Sequence, residues 1–129
     1  MNNPLVSIIT INYNKDKFLP LMLKSIENQV YNNIEHIIID DGSTDNSIKI
    51  LKNYDEKNSY SIIKLNEENC ACVAKLRNKA VEISSGEYIM NVDSDDILYS
   101  DAIKYLISNA QERNLDLVYG SMIYIDEYG

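Results

Sequence analysis

The sequence has little of several residue types that mark particular classes of protein. Its 129 residues include one histidine, two cysteines, two prolines, four glycines and no tryptophan. Cys70 and Cys72 are separated by a single residue, a spacing at which a disulfide would be strained. A zinc site needs four ligands, or three and a water molecule, so carboxylates would have to complete any site built on these thiols. We therefore expect two reduced thiols.

Basic charge and long apolar runs are also lacking. Twelve lysine and arginine residues stand against 20 aspartate and glutamate residues, which gives a net charge of −8. Proteins that bind nucleic acids need clustered basic side chains, so this composition predicts no nucleic-acid partner. No apolar run approaches the roughly 20 residues that span a bilayer, and the N-terminus lacks the basic start of a signal peptide. We expect a single cytoplasmic domain over residues 1–129 with no transmembrane segment.

Short apolar runs rich in β-branched residues predict five strands. They cover residues 5–11, 34–39, 60–65, 88–92 and 115–119. Between them, apolar residues at three- and four-residue spacings predict four amphipathic helices. Strands and helices that alternate in this way predict an α/β fold, with right-handed crossovers and a mainly parallel sheet flanked by helices.

Local signals accompany the predicted helices. The predicted apolar faces are Phe18, Leu21, Met22 and Ile26; Ile48, Leu51 and Tyr54; Val73, Leu76, Ala80 and Ile83; and Ile103, Leu106, Ile107 and Ala110. Pro20 lies near the start of the first helix, where a missing N–H costs little. Residues 43–45 offer N-cap side chains to the second helix. The run 84–86, Ser-Ser-Gly, predicts a C-cap for the third.

Acidic residues collect where predicted strands end. Asn12-Tyr13-Asn14 follows the first strand, Asp40-Asp41-Gly42-Ser43 the second and Asp93-Ser94-Asp95-Asp96 the fourth. Open parallel sheets bind ligands beyond the carboxyl ends of their strands, so five aspartates are predicted at one sheet edge. Their mutual repulsion would be removed by a divalent cation, and aspartate oxygens suit Mg²⁺ or Mn²⁺. Singly, each run is explained by a turn or a helix cap; together they favour a metal or nucleotide site.

These motifs resemble family 2 glycosyltransferases of the GT-A fold, in order and spacing over nearly the whole chain. The resemblance lies in residues 6–14, residues 37–45, Arg77-Asn78 and residues 86–89 leading into residues 93–96. Asp-Asp-Gly-Ser-Thr-Asp with a downstream Asp-x-Asp is specific as a combination. The resemblance implies a Rossmann-like domain that binds a nucleotide-diphospho-sugar, a UDP-sugar in preference to a GDP-sugar, with Mn²⁺ or Mg²⁺. It also implies inverting transfer to an acceptor glycan or lipid-linked sugar.

The resemblance assigns roles to the acidic residues. Asp93 and Asp95, with Ser94 between them, form the Asp-x-Asp pair and would reach the metal and the ribose or phosphate of the donor. Asp41 would accept the N–H of the donor base, which is N3 in uracil. A carboxylate there disfavours cytosine, whose N3 is an acceptor. Asp40 is expected to orient the turn.

Further residues carry two interpretations each. Asp96 either assists the site or caps the next helix. Tyr13 would pack on the base or is a plain surface aromatic residue, and the backbone around Ile11 and Asn12 would line the base and ribose. Arg77 would face the pyrophosphate or hold the Asp-x-Asp loop through a bidentate pair, and we favour the loop-holding role.

The chain departs from the family pattern in its thiols and in its length. Residues 70–74 read Cys-Ala-Cys-Val-Ala where many members carry glycine or serine, which would place the thiols near the ligand. Inverting transfer needs a general base. The resemblance places that base beyond Gly129, so no catalytic residue is assigned, and Asp126 and Glu127 are expected in a strand-end or hairpin turn.

The expected protein is thus the donor-binding part of a transferase, truncated before the acceptor-binding segment. An exposed sheet edge or apolar surface where that segment would pack could drive homodimerisation. A longer parent protein could dock as a peripheral protein at the inner face of a membrane.

Other classes fit parts of the pattern. A signalling receiver is also a single α/β domain with an acidic Mg²⁺ pocket, but it needs paired acids after the first strand and a lysine after the fifth. Here acids follow the second and fourth strands, and Gly120 follows the fifth. Sugar-phosphate nucleotidyltransferases begin with a Gly-rich basic loop, which residues 12–15 do not form. A non-catalytic module on the same fold stays open, because retained aspartates argue only for donor binding.

Overall fold

The computed structural model describes residues 2–66 and 68–126. Strands and helices alternate along the chain, as the sequence predicts. The elements are β1 (Val6–Asn12), α1 (Leu19–Glu27), β2 (Ile34–Asp40), α2 (Ser47–Lys57), β3 (Ser61–Leu65), α3 (Val73–Ile83), β4 (Tyr88–Asn91) and α4 (Ala102–Arg113). The first four predicted strands agree with the observed ones to within one residue at either end.

The described strands form one parallel sheet in the order β3-β2-β1-β4. β1 pairs with β2 from Val6–Ile34 to Asn12–Asp40, and it pairs with β4 on its other side. The strand order therefore reverses between β1 and β4. The predicted α/β fold with a parallel sheet is confirmed, and the order differs from the β2-β1-β3-β4-β5 order of a receiver.

Helices cover both faces of the sheet because its central strands are apolar on both sides. Ile8 and Ile38 cluster with the buried faces of α1, α2 and α4. The neighbouring residue Ile9 points into a second cluster with Leu76 and Ala80 of α3. Within the described residues, no helix combines the length and the apolar character needed to cross a membrane.

The apolar face predicted for α1 is partly wrong. Met22 and Ile26 are buried as predicted, but Phe18 and Leu21 are 38% and 60% exposed. The helix begins at Leu19, and Leu19 and Leu23 are buried with Met22 and Ile26. These four residues also follow a helical spacing, so the true face is rotated by about one residue from the predicted one.

The fifth predicted strand, residues 115–119, is not formed. The described chain after α4 has no regular element, and Leu117 and Tyr119 are 80% and 87% exposed. A β-rich sequence becomes a strand only where a neighbouring strand accepts its hydrogen bonds, and no described strand flanks this segment. Asp126 lies in the same irregular segment, and Glu127 lies outside the described residues.

The cap signals predicted for α2 and α3 have different outcomes. The N-cap of α2 is Asn46, outside the predicted residues 43–45, and its side chain makes no capping bond. Asp45 nevertheless accepts a hydrogen bond of 2.9 Å from the N–H of Ser47, the first residue of α2. Gly86 is not a left-handed C-cap, since α3 ends at an extended Ser84. Gly86 instead lies against β1, where its N–H donates to Ser7 Oγ at 2.8 Å and a Cβ atom would overlap Ser7.

Candidate functional site

The carboxyl ends of β1, β2 and β4 meet at one edge of the sheet. Asn12 and Asp40 are register partners at the ends of β1 and β2. The chain continues into residues 12–16 and 40–46, called here the β1–β2 loop pair, and into residues 93–96, called the acidic loop. Because strand order reverses between β1 and β4, a ligand crevice is expected between residues 12–16, which follow β1, and the acidic loop, which follows β4.

Asp40 organises the turn after β2. Its side chain is fully buried. Its carboxylate accepts hydrogen bonds from Asn12 Nδ2 at 2.7 Å, from the Ser43 N–H at 2.8 Å and from Ser43 Oγ at 2.7 Å. The turn-orienting role predicted for Asp40 is confirmed by these contacts. Asn12 is equally buried, and its Oδ1 has no hydrogen-bond partner among the described residues.

Side chains lock the two loops of the pair together. Asn14 has a left-handed backbone with φ 50°, and its Oδ1 accepts the Thr44 N–H at 2.8 Å. In return, Asp45 Oδ2 accepts the Asp16 N–H at 2.9 Å, and Asp16 Oδ2 accepts the Asn46 N–H at 3.2 Å. The backbone on both sides of Lys15 is therefore fixed by the loop that leads into α2.

Asp41 is a buried carboxylate at the end of β2, with 3% of its surface exposed. It accepts the Cys70 N–H at 3.0 Å and Asn66 Nδ2 at 3.1 Å. Burial alone would raise the pKa of Asp41, but the hydrogen bonds from Cys70, Asn66 and Ala71 hold it below its usual value. Asp41 is therefore an ionised acceptor inside the protein.

The chain carrying Cys70 lies directly over Gly42. Gly42 has φ +77°, and a Cβ there would lie 2.8 Å from the backbone nitrogen of Asn69. Only glycine permits both this conformation and this approach. Cys70 and Cys72 form no disulfide, as the sequence predicts, and both are exposed.

The residues predicted to line the donor base lie beside Asp41 along the sheet edge. Ile11 is partly buried against the cluster that contains α3, and Asn12 follows it at the end of β1. Tyr13 is 45% exposed, so its ring is available for contact with a ligand. Both interpretations of Tyr13, base-packing and surface aromatic, are compatible with this exposure.

Two ion pairs hold the acidic loop. Arg77 Nη2 of α3 donates to Asp93 Oδ1 at 2.7 Å, and Lys15 Nζ donates to Asp95 Oδ2 at 2.7 Å. The contact between Arg77 and Asp93 is the one that the loop-holding interpretation predicts, although it is a single hydrogen bond rather than a bidentate pair. Ser94, between the two aspartates, is buried with 4% of its surface exposed.

Asp96 does not cap the next helix, because α4 begins at Ala102 with Asp101 in the N-cap position. Burial and the nearby charges of Asp93 and Asp95 raise the pKa of Asp96. Burial is the larger of the two causes, and the neighbouring carboxylates add to it. The alternative that Asp96 assists the site stays a prediction.

The acidic loop presents carboxylates of the type that bind a divalent cation. Residues 2–66 and 68–126 contain no group of three or more His, Cys, Asp and Glu residues that could hold a metal ion by themselves. Asp93 and Asp95 offer two accessible carboxylates, with side chains 60% and 40% exposed. Hard oxygen donors and excess negative charge fit Mg²⁺ or Mn²⁺, which commonly takes remaining ligands from substrate phosphates and water.

Sequence reasoning missed Lys15. It follows Tyr13 by two residues and bridges to a residue 80 positions later. No motif indicates this contact. An edge with five predicted aspartates needs counter-ions, however, and Lys15 is the first lysine after β1 in the sequence.

A parallel sheet with helices on both faces and a reversal of strand order has the architecture of the doubly wound α/β domains, which bind ligands at that reversal. A family model described as glycosyl transferase family 2 matches residues 7–128. The chain therefore belongs to glycosyl transferase family 2, as the sequence predicts, and the receiver alternative is set aside.

Curated relatives agree with this family. The chain is 37% identical over 123 residues to glycosyltransferase GlyG of Streptococcus pneumoniae serotype 4, covering 95% of this chain and 40% of the relative. It is 36% identical over 129 residues to an uncharacterized glycosyltransferase of Haemophilus influenzae, covering all of this chain and 51% of the relative. It is 32% identical over 126 residues to the poly(ribitol-phosphate) beta-glucosyltransferase of Bacillus spizizenii, covering 96% and 20%. The chain thus spans about half or less of these relatives.

Solved structures share the fold. TarS of S. aureus (residues 1–349), in complex with UDP-GlcNAc, superposes with a TM-score of 0.79 at 29% identity over 84% of this chain and 32% of that chain. The mannosyltransferase PcManGT of Pyrobaculum calidifontis, in complex with GDP-Man and Mn²⁺, gives a TM-score of 0.70 at 24% identity over 82% and 33%. The second likeness supports the fold alone.

Proposed function

We propose that this chain is the donor-binding domain of an inverting glycosyltransferase that uses a nucleotide-diphospho-sugar and a divalent cation. The observation that carries the proposal is Asp41, a buried and ionised hydrogen-bond acceptor at the strand edge. A buried charge is costly unless it is well paired. Hydrogen bonds from Cys70 and Asn66 stabilise this charge, and the remaining acceptor positions of the carboxylate are suited to a ligand that offers an N–H group.

The nucleobase would bind at the end of β1 and β2. A carboxylate has about four lone-pair positions, so Asp41 can accept an N–H of the base in addition to its bonds from Cys70 and Asn66. Tyr13 would pack against the face of the base, and the backbone at Ile11 and Asn12 would line the base and ribose. We favour a UDP-sugar because TarS, at 29% identity, was solved with UDP-GlcNAc.

The diphosphate would bind across the crevice beside the acidic loop. Asp93 and Asp95 would hold the cation, with Ser94 shaping the loop between them. A bound Mg²⁺ or Mn²⁺ would neutralise the charge that develops on the departing nucleoside diphosphate. Arg77 would keep Asp93 in place through their 2.7 Å contact.

The remaining parts of the proposal concern the longer protein. We assign no general base among the described residues, and we propose a glycan or lipid-linked sugar as acceptor. A single donor domain over residues 1–129, a cytoplasmic location with peripheral membrane docking, and dimerisation of the isolated chain all stay predictions.

Calorimetric titration tests donor binding directly. We expect UDP and UDP-sugars to bind with Mn²⁺ and to bind more weakly without it. Asp41→Asn should weaken UDP binding by about tenfold or more, because hydrogen bonds to charged groups contribute roughly 1.5–3 kcal/mol. Glu56→Gln, on the exposed side of α2, removes one negative charge elsewhere and should leave the affinity unchanged. The proposal fails if neither UDP, GDP nor their sugars bind in the presence of Mn²⁺.

A further inference from the structure

Lys15 joins the two sides of the crevice. It follows β1, while its partner Asp95 follows β4, and these are the strands between which the order reverses. The Nζ–Oδ2 distance is 2.7 Å, and the two side chains are 41% and 40% exposed. The ion pair is therefore accessible to solvent, and a ligand that enters the crevice would contact it.

The backbone of Lys15 is held by hydrogen bonds, whereas its side chain is held only by contacts that are partly exposed to solvent. Its carbonyl oxygen accepts the N–H groups of Phe18 and Leu19 at 3.0 and 2.9 Å, and its neighbours are bound to the loop before α2. Its ammonium group also lies 5.8 Å from the centre of the Phe18 ring. A lysine side chain is a flexible chain that ends in a compact charge. Nζ can therefore leave Asp95 without a change in the backbone of residues 12–16.

A divalent cation and the Lys15 ammonium group require the same carboxylate. A cation bound directly to Asp95 Oδ2 would lie close to Nζ, which is 2.7 Å from the same oxygen, and repulsion between the two positive charges favours the departure of Nζ. A displaced ammonium group in this crevice then needs another anion, and a diphosphate bound there would supply one.

We propose that Lys15 occupies Asp95 in the cation-free protein and moves to the donor diphosphate when the divalent cation takes its place. This inference rests on the proposed function. Lys15 is then a donor-binding residue that also weakens binding of the cation in the absence of nucleotide, so cation and nucleotide bind together more readily than the cation binds alone.

The inference predicts effects of opposite sign on the two ligands. Lys15→Gln should bind Mn²⁺ alone about five- to tenfold more tightly, because the competing ammonium group is gone. With Mn²⁺ saturating, the same variant should bind UDP about tenfold more weakly, because a charge-assisted contact to the diphosphate is lost. Mn²⁺ binding is followed by electron paramagnetic resonance of free Mn²⁺ and UDP binding by calorimetry, so neither readout needs enzyme activity.

Two controls separate this contact from the general field of a positive charge. Lys17→Gln makes the same charge change two residues away, and it should change Mn²⁺ affinity by less than about twofold because exposed charges are well screened. In an Asp95→Asn background, Lys15→Gln should no longer tighten Mn²⁺ binding, since the competition needs both partners. Lys15→Arg should keep most of the UDP affinity, and circular dichroism checks that each variant is folded.

The outcomes are distinct for the two proposals. If the wild-type protein binds UDP with Mn²⁺ but Lys15→Gln leaves Mn²⁺ affinity unchanged, or lowers it, the inference about Lys15 is wrong and the proposed function stands. Equal effects of Lys15→Gln and Lys17→Gln also overturn the inference. If the wild-type protein binds no nucleotide with Mn²⁺, both proposals fail.

Discussion

The β1–β2 loop pair and the acidic loop lie at the same sheet edge but are stabilised in different ways. In the loop pair, Asp40 and Asn12 are fully buried and bonded to each other and to Ser43. In the acidic loop, Asp93 and Asp95 are held by exposed ion pairs. The side proposed for the base is therefore built by the fold itself, whereas the side proposed for the cation is held by contacts that a ligand can exchange.

The largest predicted effect tests whether the loop pair contributes to folding and the acidic loop does not. Asp40→Ala leaves three buried donors of Asn12 and Ser43 without their acceptor, and we expect a loss of about 3 kcal/mol in the free energy of unfolding. Asp95→Ala removes an exposed partner and should change this free energy by less than about 1 kcal/mol. Urea unfolding at pH 7 measures both, and equal losses would refute the comparison.

A second prediction concerns the chain that covers the loop pair. Gly42→Ala forces a side chain into a left-handed conformation and against the backbone of Glu68 and Asn69, so we expect a loss of about 2 kcal/mol in stability. Gly120→Ala is the matched control, since a Cβ there would meet nothing within 4 Å. Thermal unfolding of the two variants should differ clearly, and similar melting temperatures would contradict the close approach seen over Gly42.

A third prediction concerns the core beneath the loop pair. His36 is fully buried between Thr10 and Tyr54, and burial lowers its pKa to about 3. The unfolded chain binds this proton near pH 6.5, so stability is lost as the pH falls below that value and is fully present above it. The free energy of unfolding should fall by up to ~1.4 kcal/mol per pH unit between pH 6 and 5 from this group.

The variant His36→Gln isolates the contribution of this residue. It carries no group that titrates in the same range, so its stability should change less between pH 6 and 5 than that of the wild type. Parallel slopes would show that His36 gains no proton on unfolding.

The smallest predicted effect concerns the ion pair between Arg77 and Asp93. Arg77→Gln should change the free energy of unfolding by about 0.5 kcal/mol or less, because exposed ion pairs contribute little. Lys24→Gln, which breaks another surface pair at 3.1 Å, is the reference and should behave alike. A loss near 2 kcal/mol for Arg77→Gln alone would show that the acidic loop is as firmly built into the fold as the loop pair.

The parts of the fold that the sequence predicts well are those decided by local composition. β1 and β2 are β-branched runs that remain buried on both faces, so their limits can be identified from residue types alone. Residues 115–119 are also largely apolar, but they have no neighbouring strand among the described residues, and composition does not encode that neighbour. The rotated face of α1 has the same origin, because two overlapping helical stripes are present and only packing selects one.

The candidate site divides in a similar way. The common edge that carries Asp41, Asp93 and Asp95 follows from the parallel direction of the strands, which alternating elements predict. The partners of these residues cannot be predicted in this way. Cys70, for example, contributes a backbone N–H, which any residue except proline could supply. Lys15 reaches Asp95 across 80 residues, a contact fixed by tertiary structure alone.

The lock between Asn14, Asp16, Thr44 and Asp45 has a consequence for local opening of the protein. Its hydrogen bonds join residues 29 and 30 positions apart, so none can form until β1 and β2 are paired. Sites formed only by such bonds open with the cooperative unit that contains them. The amide hydrogens of Asp16 and Thr44 should therefore exchange with solvent at rates close to those of the central strands. The side of the crevice proposed for the base would then open together with β1 and β2 rather than by itself.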